Sequence, residues 1–210
     1  MYEDIKEKLT AGNINGVRDL VEKYLGEGKT PKDILDNGLI AGMDVIGDRF
    51  KKSEVFIPEV MIAAKAMHAG LDILQPRLAE AGARPVGRVV IGTIKGDLHD
   101  IGKNIVGMMF KGAGFSVTDL GIDVAPVKFL DAAQKSGADI VAVSSLLTTS
   151  MPFMGDVVKS FKAGGLDSVK VMVGGAPVTQ GFADSIGADG YADDASSAVD
   201  KAREMLGIRV

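Results

Sequence analysis

Residues 96–104, GDLHDIGKN, set two aspartates, one histidine and two glycines between the apolar runs RVVIGTI (88–94) and IVGMMF (105–110). His99 is one of two histidines in the chain, and Asp97 stands two positions before it. A lone loop histidine is ordinarily solvated or hydrogen-bonded and does no chemistry. A nearby carboxylate changes that expectation. A metal-bound imidazole usually passes its second ring N–H to a carboxylate, which fixes the tautomer and makes the ring a better donor. Asp-x-His can therefore supply a metal ligand and its support together. Asp100 is read instead as a cap for the helix that follows. Gly96 and Gly102 bracket the histidine, and glycine permits unusual φ values or lets backbone lie flat against a bulky group. Tight helix packing is the other reading of Gly102.

Two further stretches carry candidate chemistry. SSLLTTSM (144–151) holds five hydroxyl residues. They can satisfy ring nitrogens, carboxylates or phosphate oxygens, and equally can cap the next helix, Ser150 being the foremost cap candidate. GGAP (174–177) places two glycines before a proline at the first position of a helix. It reads as an ordinary turn or as clearance for a ligand sliding between strands.

Much chemistry is excluded. The chain contains no cysteine, which removes disulfides, cysteine-ligated iron–sulfur clusters, thiolate zinc and cysteine nucleophiles. Any metal must rest on His, Asp, Glu or a prosthetic group. No G-x-G-x-x-G follows a strand and no G-x-x-x-x-G-K-[ST] occurs, so a nicotinamide or nucleoside-triphosphate site lacks its phosphate cradle. A phosphoacceptor receiver would need an aspartate at the tip of the third strand, where Ser144, Ser145 and Leu146 stand. A net charge of −4 without a basic block argues against nucleic acid. No apolar run approaches the ~20 residues of a membrane helix, and the opening MYEDIKEK lacks a signal-peptide profile. A cytoplasmic protein that uses neither membrane nor nucleic acid is expected.

The elements that must position these residues fall into two regions. Residues 1–82 read as a four-helix bundle. Short amphipathic segments at 3–10 and 14–25 precede a helix opened by Thr30 as N-cap, Pro31 at its first position and Asp33 in its first turn. Its apolar face is Leu35, Leu39, Met43, Ile46 and Phe50. A second long helix begins near Pro58, with Val60 or Met61, Ala64, Met67, Leu71, Leu74 and Leu78 on its face. AEAGARPVGR (79–88) loses periodicity and is the linker. From there to residue 210, strands at 86–94, 115–121, 138–146, 169–175 and 189–192 alternate with helices at about 101–113, 126–136, 151–163, 178–186 and 194–206. The chain holds 27 glycines, most of them in this region. Such alternation implies an α/β fold with a parallel sheet covered on both faces. Ligands of such sheets bind at the carboxyl ends of the strands, which puts the loops beginning at Lys95, Ser144, Gly174 and Ala192 on one rim.

At these residues the chain resembles the cobalamin-binding module of corrinoid-dependent methyltransferases. That family's D-x-H-x-x-G, S-x-L and G-G appear here in order as Asp97, His99 and Gly102, then Ser144 and Leu146, then Gly174 and Gly175. The resemblance covers nearly the whole chain. It implies a helical cap (1–82) followed by a flavodoxin-like, Rossmann-like five-stranded domain (83–210). It also implies a cobalamin cofactor, methylcobalamin or cob(I)alamin, bound with its own base displaced and His99 as lower axial ligand of cobalt. Gly96, Asp97, Leu98, His99, Asp100 and Gly102 would line the cofactor, with Asp97 and Ser150 forming a relay behind His99. Ser144, Leu146, Thr148, Gly174 and Gly175 would line the slot for the displaced nucleotide tail, with Ala195 at its far wall. The segment 42–67 is similar to a cap whose apolar side chains shield the cobalt's upper face; by position these are Phe50, Ile57 and Val60, or else they are plain bundle core.

The function implied is a methyl carrier without catalysis of its own. Its partners would be a donor-specific methyltransferase, an acceptor methyltransferase serving a thiol or pterin, and a reductive activase, with methylamine-type or betaine-type donors favoured. The linker would act as a hinge. An adenosylcobalamin mutase small subunit would share D-x-H-x-x-G but needs no methyl-shielding cap. A cobalamin-dependent regulator would need a basic DNA-reading region that the N-terminal segment does not provide.

Overall fold

The computed structural model describes residues 2–82 and 84–208. The chain divides into two compact units, one formed by residues up to Pro85 together with Lys111–Gly114, the other by Val86–Phe110 and Phe115 onward. Ala83, where the second region was expected to begin, lies outside the described residues. Among those residues no helix is long and apolar enough to cross a membrane.

The first unit is built from α1 (Glu3–Thr10), α2 (Ile14–Gly26), α3 (Pro31–Ile34), α4 (Ala41–Lys51) and α5 (Ile57–Glu80). Asn13 caps α2 by accepting Gly16 N at 2.8 Å, and Thr30 caps α3 by accepting Asp33 N at 3.2 Å, with Pro31 in the first turn. One difference from the sequence reading concerns the third rod. The single helix expected at 31–50 is wound as a π-helix over Leu35–Ile40, which joins α3 to α4 without a break. Its apolar face survives the change: Leu39, Met43 and Ile46 are buried. On α5 the buried face runs through Val60, Ala64, Met67 and Leu74, and Met61 is exposed. Hydroxyl–carboxylate bonds tie the rods together, Tyr2 to Asp33 (2.6 Å) and Tyr24 to Asp4 (2.8 Å), with the two rings edge-to-face at 4.8 Å.

The second unit alternates β1 (Arg88–Thr93), α6 (Ile101–Gly112), β2 (Ser116–Asp119), α7 (Pro126–Ser136), β3 (Ile140–Ser144), α8 (Pro152–Ala163), β4 (Lys170–Gly174), α9 (Gln180–Ile186), β5 (Gly190–Ala192) and α10 (Ala195–Met205). The strands pair in parallel in the order β2-β1-β3-β4-β5. Continuous apolar runs place β1, β3 and β4 inside, as expected of strands covered on both faces. Val90, Val141, Val143, Val171 and Val173 pack against Phe129, Met154, Val157 and Phe161 of α7 and α8 in one buried cluster. α9 begins later than its sequence pattern implied. Thr179 caps it by accepting Phe182 N at 3.2 Å, so Pro177 lies in the preceding turn, closed by Val178 N to Gly175 O, and not at a helix start.

The chain leaves β1 toward β2 on one side and returns to β3 on the other, so strand order reverses between β1 and β3. Ligand crevices of open parallel sheets form at the carboxyl ends of strands flanking such a reversal. Register aligns those ends in one row, with Thr93 beside Ser144, Ser144 beside Gly174, and Gly174 beside Ala192.

Candidate functional site

The loop after β1 carries His99 and Asp97 on the row's first strand. Asp97 Oδ1 accepts His99 Nδ1 at 2.7 Å and His99 N at 3.0 Å. Its Oδ2 accepts Leu146 N at 2.6 Å, Leu147 N at 3.2 Å and Ser145 Oγ at 3.2 Å from the loop after β3. Asp97 has no exposed surface. Burial alone would raise its pKa, but the N–H groups of His99 and Leu146, the His99 ring and the Ser145 hydroxyl together hold the carboxyl down at about 2. An ionised carboxylate only accepts, so Nδ1 carries a ring proton, and in the neutral ring the lone pair falls on Nε2. The imidazole itself is 54% exposed. Thr93 Oγ1 donates to His99 O at 2.9 Å, which fixes the backbone under the ring.

The hydroxyl loop is used in part as expected. Ser150 is not the cap of α8: Met151 holds that position with helical dihedrals, and Ser150 is buried with its hydroxyl 2.9 Å from Leu147 O and 2.7 Å from Ser145 Oγ. Its hydroxyl also donates to Asp97 Oδ2 at 3.5 Å, as expected of the pair. Ser145, fully buried, makes the shorter hydroxyl bond to Asp97, and no sequence signal distinguished it from its neighbours. Ser144 ends β3, where its carbonyl accepts Ile94 N. Leu146 and Thr148 are exposed on the rim. Asp100 stands at the head of α6, where its carbonyl accepts Asn104 N and its carboxylate accepts Asn104 Nδ2 at 3.0 Å.

The glycines divide into two kinds. Around Gly102 a Cβ would meet nothing within 4 Å, so tight helix packing does not account for it. Gly96 adopts φ +81°, a conformation that disfavours any larger residue. At Gly175, φ is +125° and a Cβ would fall 1.9 Å from Ser145 O; at Gly174 it would fall 3.0 Å from Ala192 O. The paired glycines are therefore required by backbone passing beside them, and a ligand slot is not needed to explain them. Ala195 opens α10 and is buried behind its cap Asp194, whose Oδ1 accepts Ser196 N and Ser197 N, so it offers little surface to a ligand.

Of the three residues expected on the helical unit, Ile57 is 40% exposed, Phe50 is partly buried, and Val60 has no exposed surface. Phe56, beside Ile57 and not anticipated, is more exposed than either.

The arrangement around His99 suits a large planar group that brings its own metal. Leu98 and Ile101 in the His99 segment, and Leu146 and Leu147 in the loop that holds Asp97, are exposed apolar residues, and Gly102 leaves open space at the head of α6. Among the described residues no group of three or more His, Cys, Asp or Glu could hold a bare ion. One supported imidazole without partner ligands fits a metal whose remaining positions are filled by a prosthetic ring.

Known proteins share this build. The family described as B12 binding domain matches residues 87–200, and a second family of the same description matches residues 1–75. A corrinoid protein of Desulfitobacterium hafniense is 42% identical over 99% of this chain and 98% of its own. Dimethylamine corrinoid protein 1 of Methanosarcina acetivorans is 44% identical over 97% of this chain and 98% of its own. Among solved structures, a chain of the methanol:cobalamin methyltransferase complex of Methanosarcina barkeri superposes with a TM-score of 0.87 at 30% identity, covering 97% of this chain and 78% of that one.

Proposed function

Because the chain belongs to the B12-binding corrinoid proteins, we propose that it is a cytoplasmic methyl carrier. In this reading it takes a methyl group delivered by a donor-specific methyltransferase and yields it to an acceptor methyltransferase serving a thiol or pterin, with a reductive activase as third partner. The observation that carries the reading is the exposed His99 ring fixed at Nδ1 by a buried carboxylate. When bound, the corrinoid supplies a cobalt centre able to accept and release a methyl group. His99 Nε2 would hold that cobalt. Asp97 keeps the ring in the tautomer that leaves this nitrogen free, while Ser145, Leu146 and Leu147 hold the far oxygen of the carboxylate. Leu98, Ile101, Leu146 and Leu147 offer exposed apolar surface that a bound corrinoid would cover. Dimethylamine relatives of nearly full length favour a methylamine donor. They give no support to a mutase subunit or a regulator.

The test is reconstitution with cobalamin, followed by addition of methylamine-type and betaine-type donors with a partner methyltransferase under reducing conditions. Corrinoid absorption bands that shift with a methylamine-type donor are expected. His99→Ala is expected to bind cobalamin more weakly and to lose the imidazole-ligand signature. Failure of the wild-type chain to take up any corrinoid would sink the reading.

A further inference from the structure

The loop between β2 and α7 plays no part in the motif, yet it grips the His99 loop at two points. Gly96 N donates to Asp123 Oδ1 at 2.7 Å, and Asp123 N donates to Asp97 O at 3.1 Å. To make both bonds Asp123 adopts φ +53°, a left-handed conformation that aspartate tolerates better than most residues but that still costs energy. Next to it, Val124 continues the parallel pairing beyond the strands, its N–H donating to Thr93 O and its carbonyl accepting Lys95 N. The loop is anchored at its base as well. Asp119 accepts Lys103 Nζ at 2.5 Å through one oxygen and Gly121 N at 2.9 Å through the other. Lys103 is a buried lysine of α6, four residues after His99. The β2–α7 loop is thus tied both to the strand side and to the helix side of the Asp97–His99 segment.

We propose that Asp123 is a positioning residue for His99: its carboxylate and N–H clamp the Gly96–Asp97 backbone, so the imidazole is presented to the corrinoid already oriented. This rests on the function proposed above only for the identity of the bound group. Without Asp123, Gly96 at φ +81° has no side-chain acceptor for its N–H, and the segment between Ile94 and His99 gains freedom that axial ligation must then remove.

Three variants separate the causes. Asp123→Gly removes the acceptor but keeps the left-handed backbone, Asp123→Asn keeps both an acceptor and tolerance of that backbone, and Asp123→Ala loses both. In the cobalamin-free protein, exchange of the Gly96 amide is expected to quicken about tenfold in Asp123→Gly, as for loss of one charge-assisted hydrogen bond. It is expected to stay near wild type in Asp123→Asn. After cobalamin uptake, the ratio of imidazole-ligated to unligated Co(II), read from nitrogen splitting in electron paramagnetic resonance, should fall by a similar factor in Asp123→Gly and recover in Asp123→Asn. Wild-type exchange in Asp123→Gly overturns the clamp, as does faster exchange with unchanged ligation, or an Asn variant as defective as Gly. If wild-type protein takes up no cobalamin, the carrier function falls, and the amide-exchange arm still decides whether Asp123 holds the loop.

Discussion

Asp97 is the residue on which the site turns, because every atom of its carboxylate faces donors. One oxygen meets the N–H and the ring of His99, the other meets Leu146 N, Leu147 N and the Ser145 hydroxyl. Asp97→Asn would put an amide NH₂ against donors on one side or the other. If it faces His99, the ring must shift its proton to Nε2 and can no longer donate that nitrogen to a metal. If it faces the β3–α8 loop, two backbone N–H groups lose their acceptor in a fully buried place. Either way the protein without corrinoid should lose about 2–3 kcal/mol, seen as a lower urea midpoint at unchanged slope; a loss of a few tenths would show that the network does not hold the carboxylate. The pairing of Asp97 with His99 was legible in the sequence because both lie two residues apart on one loop. Ser145 was not, since 48 residues separate it from Asp97 and only strand register decides which hydroxyl of SSLLTTS turns inward.

Among the elements, the helical unit holds a second polar lock. Tyr2 is buried and its hydroxyl donates to Asp33, so burial first and the neighbouring carboxylate second push its pKa from 10.0 up to about 12. The stability this represents is fully present below pH 10 and is lost as pH rises through 12, because the unfolded chain gives up the proton sooner. Tyr2→Phe should therefore flatten the fall in stability between pH 10 and 12, measured as the difference between variant and wild-type unfolding curves across that range. A difference that stays constant with pH would mean that the tyrosine ionises as freely folded as unfolded. Helix positions here were readable from the spacing of apolar residues, and the caps at Asn13 and Thr30 from their types. The π-helical turn at Leu35–Ile40 was not, because the step of four from Leu35 to Leu39 fits either winding. Within that turn a Cβ on Gly38 would sit 3.2 Å from Ile5 Cδ1 of α1, so the widened turn lies at a close helix approach.

For the chain as a whole, the alternation of apolar runs and helices made the candidate rim readable, since it implies a parallel sheet whose ligands lie at the strands' carboxyl ends, while the strand order came only with the structure. What the sequence could not reveal is which glycines serve the fold and which leave room for something else, because that depends on the backbone passing opposite each one. Gly175 and Gly102 separate the two roles. Gly175 carries φ +125° with Ser145 O lying 1.9 Å from its Cβ position, and Ser145 in turn braces Asp97, so a change at Gly175 reaches the Asp97 network through the loop after β3. Gly175→Ala should cost the corrinoid-free protein roughly 2–4 kcal/mol through strain and displacement of the β3–α8 loop. Gly102 sits in α6 with open space where a Cβ would project. Gly102→Ala should leave the corrinoid-free protein as stable or up to about 1 kcal/mol more stable, alanine being the better helix former, while weakening cobalamin uptake severalfold if that space belongs to the ring. Calorimetric unfolding without cobalamin, paired with cobalamin titration of both variants, resolves the roles. A Gly102→Ala protein that binds cobalamin as wild type would move the ring away from the head of α6 and leave Gly96 alone in the loop as a glycine the backbone demands.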